Sequence, residues 1–227
     1  MKAFPGWKET SGIILVLLVA ISIPILSSAE EDAEARNEPE GLILEERGLR
    51  QLNDIPAPVT REELARAFPG YRVRVESIDV GEGYFVDKPV LYKNGKALTI
   101  TLDESSGEVT ALSVYTSEVA TSHGVRVGGE FRAALEQHRM ECFSHAETTL
   151  GKILCRDARY LEWLQLRHRQ SDGSVPPYEG SVFSYTVGAG SDDQKECIPN
   201  YHYCSYEPSS LAGNSIEVIH WSAPPND

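Results

Sequence analysis

The chain has no H-E-x-x-H run, no G-x-S-x-G elbow, no C-x2-C pair and no carboxylate spacing of an EF-hand loop. Their absence removes the sequence signatures of zinc proteases, α/β-hydrolases, thiolate zinc sites and EF-hand calcium loops. No cofactor is expected. Basic residues are scarce as well, 21 Lys and Arg against 34 Asp and Glu, for a formal charge of −13. Phosphate backbones and anionic lipid headgroups need a local excess of Lys and Arg, so nucleic acid is not an expected partner. Long apolar runs are also missing. The longest, Gly12 to Leu26, is interrupted by Ser22 and Pro24 and falls short of the roughly 20 residues that span a bilayer.

That same run is informative in another way. Lys2 and Lys8 precede it and Ser27, Ser28 and Ala29 follow it, which is the layout of a secretory signal cleaved after Ala29. Glu30, rather than a cysteine, follows the small residues, so lipid attachment there is not expected. Cleavage leaves 198 of the 227 residues, enough for one domain, and removes Lys2, Lys8 and Glu9, taking the charge to −14. No stable membrane insertion is expected after cleavage, and the chain should reside in the periplasm or outside the cell. Residues 30–47 read as an acidic, flexible leader, because Glu30 to Glu40 has too little apolar surface to offset the entropy of ordering, and order is expected to begin near Gly41 to Leu52, where Leu42, Ile43, Leu44, Leu49 and Leu52 appear. Residues 48–227 then form a single α+β domain.

Four cysteines remain for an oxidising compartment, Cys142, Cys155, Cys197 and Cys204. Closeness in sequence favours Cys142 with Cys155 and Cys197 with Cys204, each bridged across a hairpin or short loop; metal ligation would require a different spacing.

The plainest local signal is Thr60-Arg-Glu-Glu63, a capping box, with Val59 and Leu64 placed as a hydrophobic staple. A helix therefore starts at Arg61 and stops by Phe68, before Pro69 and Gly70. Tyr71–Ile78, Tyr84–Tyr92, Ala97–Leu102 and Val109–Tyr115 follow as strands, with Asn94-Gly95 and Ser106-Gly107 as hairpin turns. A second unit of the same order is expected from Gly124–Gly129, a short strand, through a helix from Glu130 to His138. Strands Met140–His145, Lys152–Arg156, Tyr160–Arg167, Val182–Val187 and Ser215–Trp221 complete it. The result is a mostly antiparallel sheet with two short helices and a helix-plus-meander repeat, in halves 48–120 and 121–227. Gln170–Glu179 and Gly188–Gly213 read as loops.

Pro69-Gly-Tyr-Arg-Val73, Ser117, Gly124-Val-Arg-Val-Gly128 and the pair Cys142 and Cys155 form a further pattern. Over about Gly48 to Val187 it resembles the bacterial envelope lipoproteins regulated by the extracytoplasmic stress sigma factor, whose domain has no assigned biochemical activity. The resemblance implies a place in the cell envelope. The missing cysteine at the cleavage site departs from the family's lipid tether.

Few constellations invite chemistry. His123 lies beside Thr121 and Ser122, but neighbours along a chain rarely have triad geometry. His138, His145, His168, His202 and His220 share no metal-binding spacing. Asp103, Glu104 and Glu108, and Asp192 with Asp193, sit where turns favour such residues for backbone reasons. Tyr201, His202, Tyr203 and Tyr206 around the second disulfide form a candidate binding loop, since aromatic rings on a rigid loop offer large contact area at low entropic cost. Trp163 and Trp221 add to the aromatic set. The reading is thus a non-enzymatic binding or accessory module for an envelope ligand or protein; the alternative is an envelope hydrolase using His123 or an acidic pair. Mature chain recovered from an exporting cell should begin at Glu30 or a few residues from it. An N-terminal sequence that keeps Met1 would instead identify an anchor.

Overall fold

The computed structural model describes residues 41–81, 83–145, 152–170, 174–190, 195–198 and 203–224. The signal segment and the leader through Glu40 lie outside the described residues. The elements are β1 (Leu42–Glu45), β2 (Gly48–Leu49), α1 (Arg50–Asn53), α2 (Arg61–Ala67), β3 (Arg72–Gly81), β4 (Tyr84–Tyr92), β5 (Lys96–Leu102), β6 (Val109–Val114) and β7 (Val119–Thr121). They continue as α3 (Arg132–Leu135), β8 (Met140–His145), β9 (Lys152–Asp157), α4 (Ala158–Arg169), β10 (Val182–Gly188), β11 (Lys195–Ile198), β12 (Tyr203–Tyr206), a 3-10 turn (Pro208–Leu211) and β13 (Ile216–Ser222).

Ten of these strands make one antiparallel sheet in the order β11-β12-β8-β9-β10-β13-β6-β5-β4-β3. Within it lie the meander β3 to β6 and an interrupted meander β8-β9-β10-β13, each preceded by a helix; α4 separates β9 from β10, and β11, β12 and the 3-10 turn separate β10 from β13. They meet along their last strands, where Val114 pairs with Ile219 and Leu112 with Trp221. A second sheet, β2-β1-β7, contains the parallel pair β1 and β7. Alternation in β10 and β13 puts Phe183, Tyr185, Ile219 and Trp221 into the core, which they share with Leu44, Leu64, Phe68, Leu98, Ile100 and Phe131. A fully buried Leu or Phe stabilises by about 1.5–3 kcal/mol, so this shared core is the main term holding the sheets and helices together.

At α2 the capping box is present: Thr60 N donates to Glu63 Oε2 at 2.9 Å and Glu63 N to Thr60 Oγ1 at 3.3 Å. Such a cap contributes about 1 kcal/mol. Both cystines join directly opposed residues of antiparallel neighbours, Cys142 with Cys155 between β8 and β9 and Cys197 with Cys204 between β11 and β12. Disulfides of this kind belong to a chain that folds in an oxidising, non-cytoplasmic compartment. No helix among the described residues is long and apolar enough to cross a membrane.

Several expectations are corrected. Tyr160–Arg167 is helix, not strand. Asp157 caps α4 by accepting from Arg159 N at 2.8 Å, and Tyr160, Leu161, Trp163 and Leu164 are all partly buried, a grouping that suits a helix face and not a strand's alternation. The strand at Gly124–Gly129 reduces to a single bridge between Arg126 and Ala120. The helix from Glu130 to His138 shortens to α3, because Glu130 bridges Ser215 and the N–H groups of Phe131 and Arg132 donate to Asn214 O and Ala212 O. Four α-helices, not two, lie among the described residues. The 188–213 segment contains β11, β12 and the 3-10 turn, since the Cys197–Cys204 hairpin extends the sheet beside β8. Order begins within the expected Gly41 to Leu52 stretch, with β1, which buries Leu44 completely and sets the start of the domain ahead of residue 48.

The two cystines differ in setting. Cys142 and Cys155 are buried in the core, whereas Cys197 is exposed on the terminal strand. Replacing Cys142 and Cys155 together by Ala should cost about 2–5 kcal/mol, the range for a native bridge in a small secreted domain. Replacing Cys197 and Cys204 should cost less, because that bridge closes a shorter loop, 7 residues apart against 13. Thermal melts of both double variants check the order; a greater loss from the second pair contradicts it.

Candidate functional site

A cleft of about 780 Å³ is built from segments far apart in sequence. Gly41 and Leu42 come from the entry to β1, Gln51 from α1, Tyr71 from the entry to β3 and Lys93 from the end of β4. Ser117 and Glu118 come from the turn between β6 and β7, and Arg126 follows β7. Two local contacts bring these pieces together. Leu42 N donates to Glu118 O at 3.2 Å, and a Cβ on Gly41 would stand 2.9 Å from that same oxygen, so only glycine lets the strand pass there. Parallel pairing of β1 with β7 fixes the remainder of that wall.

Glu118 is the hub of the cleft. Its Oε2 accepts from Tyr71 OH at 2.6 Å and from Lys93 Nζ at 2.8 Å, while Lys93 also stands over the Tyr71 ring at 5.2 Å. The hydrogen bonds from Lys93 and then Tyr71 hold the Glu118 carboxyl below its ordinary range. Burial, followed by the bond to Glu118, drives the Tyr71 phenol well above its own. Both groups are therefore locked in one protonation state around neutrality: Glu118 charged, Tyr71 protonated. Arg126 supplies a second cation. Its Nη1 reaches only the Ser117 carbonyl, at 3.4 Å, which leaves most of an exposed guanidinium fork facing solvent at the cleft. With Lys93 matched by Glu118, the lining carries one surplus positive charge in a chain of net −13.

Sequence reasoning did not single out this cleft. The signal was nevertheless present, since Tyr71, Ser117 and Arg126 belong to the three runs, Pro69–Val73, Ser117 and Gly124–Gly128, that carry the family resemblance.

The residues that were singled out lie elsewhere. Tyr201 and His202 fall outside the described residues. Tyr203 is in β12, and Tyr206, in the same strand, packs against the core with its hydroxyl 3.2 Å from Ser144 Oγ. Trp163 stacks with Tyr160 and meets Tyr178 edge to face, and its Nε1 donates to Pro176 O at 2.8 Å, fastening the 174–180 segment to α4. Trp221 is buried with its Nε1 on Glu46 O at 3.1 Å. His123 is exposed on a turn. Asp103 accepts from Ser105 N, Ser105 Oγ and Ser106 N and so stabilises its own turn, while Asp192 and Asp193 lie outside the described residues. Among the described residues no group of three His, Cys, Asp or Glu side chains could hold a metal.

One histidine does meet hydroxyls. His220 Nδ1 is 3.0 Å from Ser113 Oγ and its Nε2 is 3.0 Å from Thr186 Oγ1, a row across β6, β13 and β10. Burial first, then the charge of Arg156, pushes its pKa down to about 4. Such an imidazole is a weak base, and with both nitrogens occupied it serves as a neutral cross-strand tie.

Among solved structures, the chain is similar to the uncharacterized protein YfeY from Escherichia coli, at 16% identity and a TM-score of 0.43, over 73% of this chain and 89% of that one. No family model and no curated protein matches the sequence.

The His220 tie has a consequence in pH. Its folded-state value near 4 lies below the ordinary value near 6.5, so the unfolded chain takes up the proton first. The stability that neutral His220 contributes is therefore whole above pH about 6.5 and is lost as pH falls toward about 4. Urea midpoints measured across that interval should fall more steeply for the native chain than for His220→Gln. Parallel profiles would show that His220 titrates normally.

Proposed function

We propose that this chain is an exported cell-envelope protein, periplasmic or extracellular and related to the stress-regulated envelope lipoproteins, that works by binding an anionic ligand in the Tyr71–Glu118–Arg126 cleft. The observation that carries this reading is the pairing at Glu118. General acid–base work favours groups whose pKa lies near the operating pH; the bonds from Lys93 and Tyr71 move Glu118 down from it, while burial and the bond to Glu118 move Tyr71 up. What remains available is a rigid polar wall, an exposed guanidinium suited to carboxylate or phosphate, and a volume within the usual range of small-molecule sites, about 300–1,000 Å³. The sign of the local charge supports an anion, since the rest of the chain would repel one.

The hydrolase reading has less behind it. His123 is exposed on a turn, and the Asp103 carboxylate is committed to the backbone of its own turn.

Titration of the isotopically labelled mature chain with acetyl-trialanine bearing a free carboxylate, and separately with inorganic phosphate, tests the proposal. One of the two probes should shift the backbone amides of Leu42, Lys93, Ser117 and Arg126 and be recovered unchanged. Arg126→Ala should weaken that binding by about tenfold, the loss of one charge-assisted contact. Amide shifts elsewhere, or cleavage of the peptide that disappears in His123→Ala, would contradict it.

A further inference from the structure

Among the described residues the ten-stranded sheet ends on β3, and the far side of that strand has no neighbour in the sheet. Its free backbone groups belong to the odd-numbered residues. Opposite Val75 stands Pro89, which has no N–H to donate, so this pair is a non-hydrogen-bonded position of the β3–β4 ladder. The same parity holds nearby: Tyr71 N donates back to Phe68 O, and Lys93 N, on the other strand, donates to Gly95 O. Val73, Val75 and Ser77 therefore direct their N–H and C=O groups to the open edge. Val75 is also 57% exposed.

A long open edge is a template for another strand, and proteins usually blunt it with charge. Here the charges do not blunt it. Arg74 and Glu76 alternate in sign, and they are held in place by Tyr92: the Arg74 guanidinium lies over its ring at 5.8 Å and its hydroxyl donates to Glu76. A second copy can hydrogen-bond antiparallel to this edge only in registers that pair odd residues with odd. Centred on Arg74 such a pairing sets Arg74 against itself, and centred on Glu76 it sets Glu76 against itself. Centred on Val75 it pairs Val75 with Val75 of the copy, Val73 with Ser77, and Arg74 with Glu76 twice. These last pairs fall at the non-hydrogen-bonded positions, where opposed side chains come closest.

We propose that β3 is a homodimerisation edge, on which a second copy of this chain adds its own β3 antiparallel about a two-fold axis through Val75. Backbone parity restricts the registers to odd with odd, and among these the charge pattern selects the one centred on Val75.

Sedimentation velocity on the mature chain in about 0.15 M salt, where long-range repulsion between acidic copies is screened, reads the equilibrium. The native chain should form a dimer in a concentration-dependent way. Arg74→Glu and Glu76→Arg should each weaken it by about tenfold, since each turns two attractive cross-strand pairs into repulsive ones. Mixing the two variants should restore a heterodimer, because every charge then faces its opposite, and the double exchange R74E/E76R should restore the homodimer. Circular dichroism melts confirm that each variant is folded, and the restoration in the mixture could not arise from misfolded chains. A native chain that stays monomeric at all concentrations, or a dimer indifferent to both single exchanges, would overturn the proposal.

Discussion

The pairing of β6 with β13 is the constraint on which the rest of the molecule depends. β6 closes a meander of local hairpins and β13 closes the second, interrupted one, but the two become one sheet only where these strands meet. Ser113 and His220, opposed across the junction, are 107 residues apart in sequence. Closing so long a loop is entropically costly, and the contact must recover that cost by burial. On the core side it does so with Val114 against Ile219 and Leu112 against Trp221, all buried. On the other side Ser113 and Thr186 satisfy both nitrogens of the partly buried His220, so its polar ring leaves no orphaned nitrogen. Trp221 extends the junction to the small sheet. Its Nε1 reaches Glu46 O, and a Cβ on Gly48 would lie 3.2 Å from its ring, so glycine there leaves room for the indole.

The junction also decides what is left open. With β6 and β13 paired, the edges of the described sheet are β3 at one end and, beyond β8, the Cys197–Cys204 hairpin at the other. The hairpin edge is tied covalently, whereas β3 is long and carries exposed Val75. The cleft lies where the turn after β6 passes into β7 and meets β1, so Glu118 and Arg126 reach it directly from the first half of the junction. Tyr71 crosses 47 residues of sequence to hydrogen-bond Glu118 and joins the start of the first meander to its end.

Local order was legible in the sequence and distant pairing was not. Thr60 and Glu63 announce a helix because both partners of the capping box lie within one turn, and Asn94-Gly95 announces a hairpin because the turn needs particular dihedral angles. The cystines follow from short spacing. The stretch Tyr160–Arg167 misleads because Tyr, Trp and Leu serve both strands and amphipathic helices; the cap at Asp157 and the paired burial of Leu161 and Leu164 with Tyr160 and Trp163 decide for the helix. The helix begun at Glu130 falls short because its first N–H groups are taken by the 212–215 segment, which no local pattern reveals. The cleft eluded residue-by-residue reading for the same reason. Gly41, Tyr71, Glu118 and Arg126 have ordinary local explanations, and only the fold places them together.

Native-state hydrogen exchange tests the dependence on this junction most directly. If β6 and β13 hold the two meanders in one cooperative unit, the amides of Val114 and Ile219 should exchange only through global unfolding, at the free energy given by denaturant melts, and the inner strands of both meanders should share that value. Two separate exchange free energies, with β4 and β5 opening while β9 and β10 stay protected, would show that the halves fold apart and that the junction is a contact rather than the foundation of the fold.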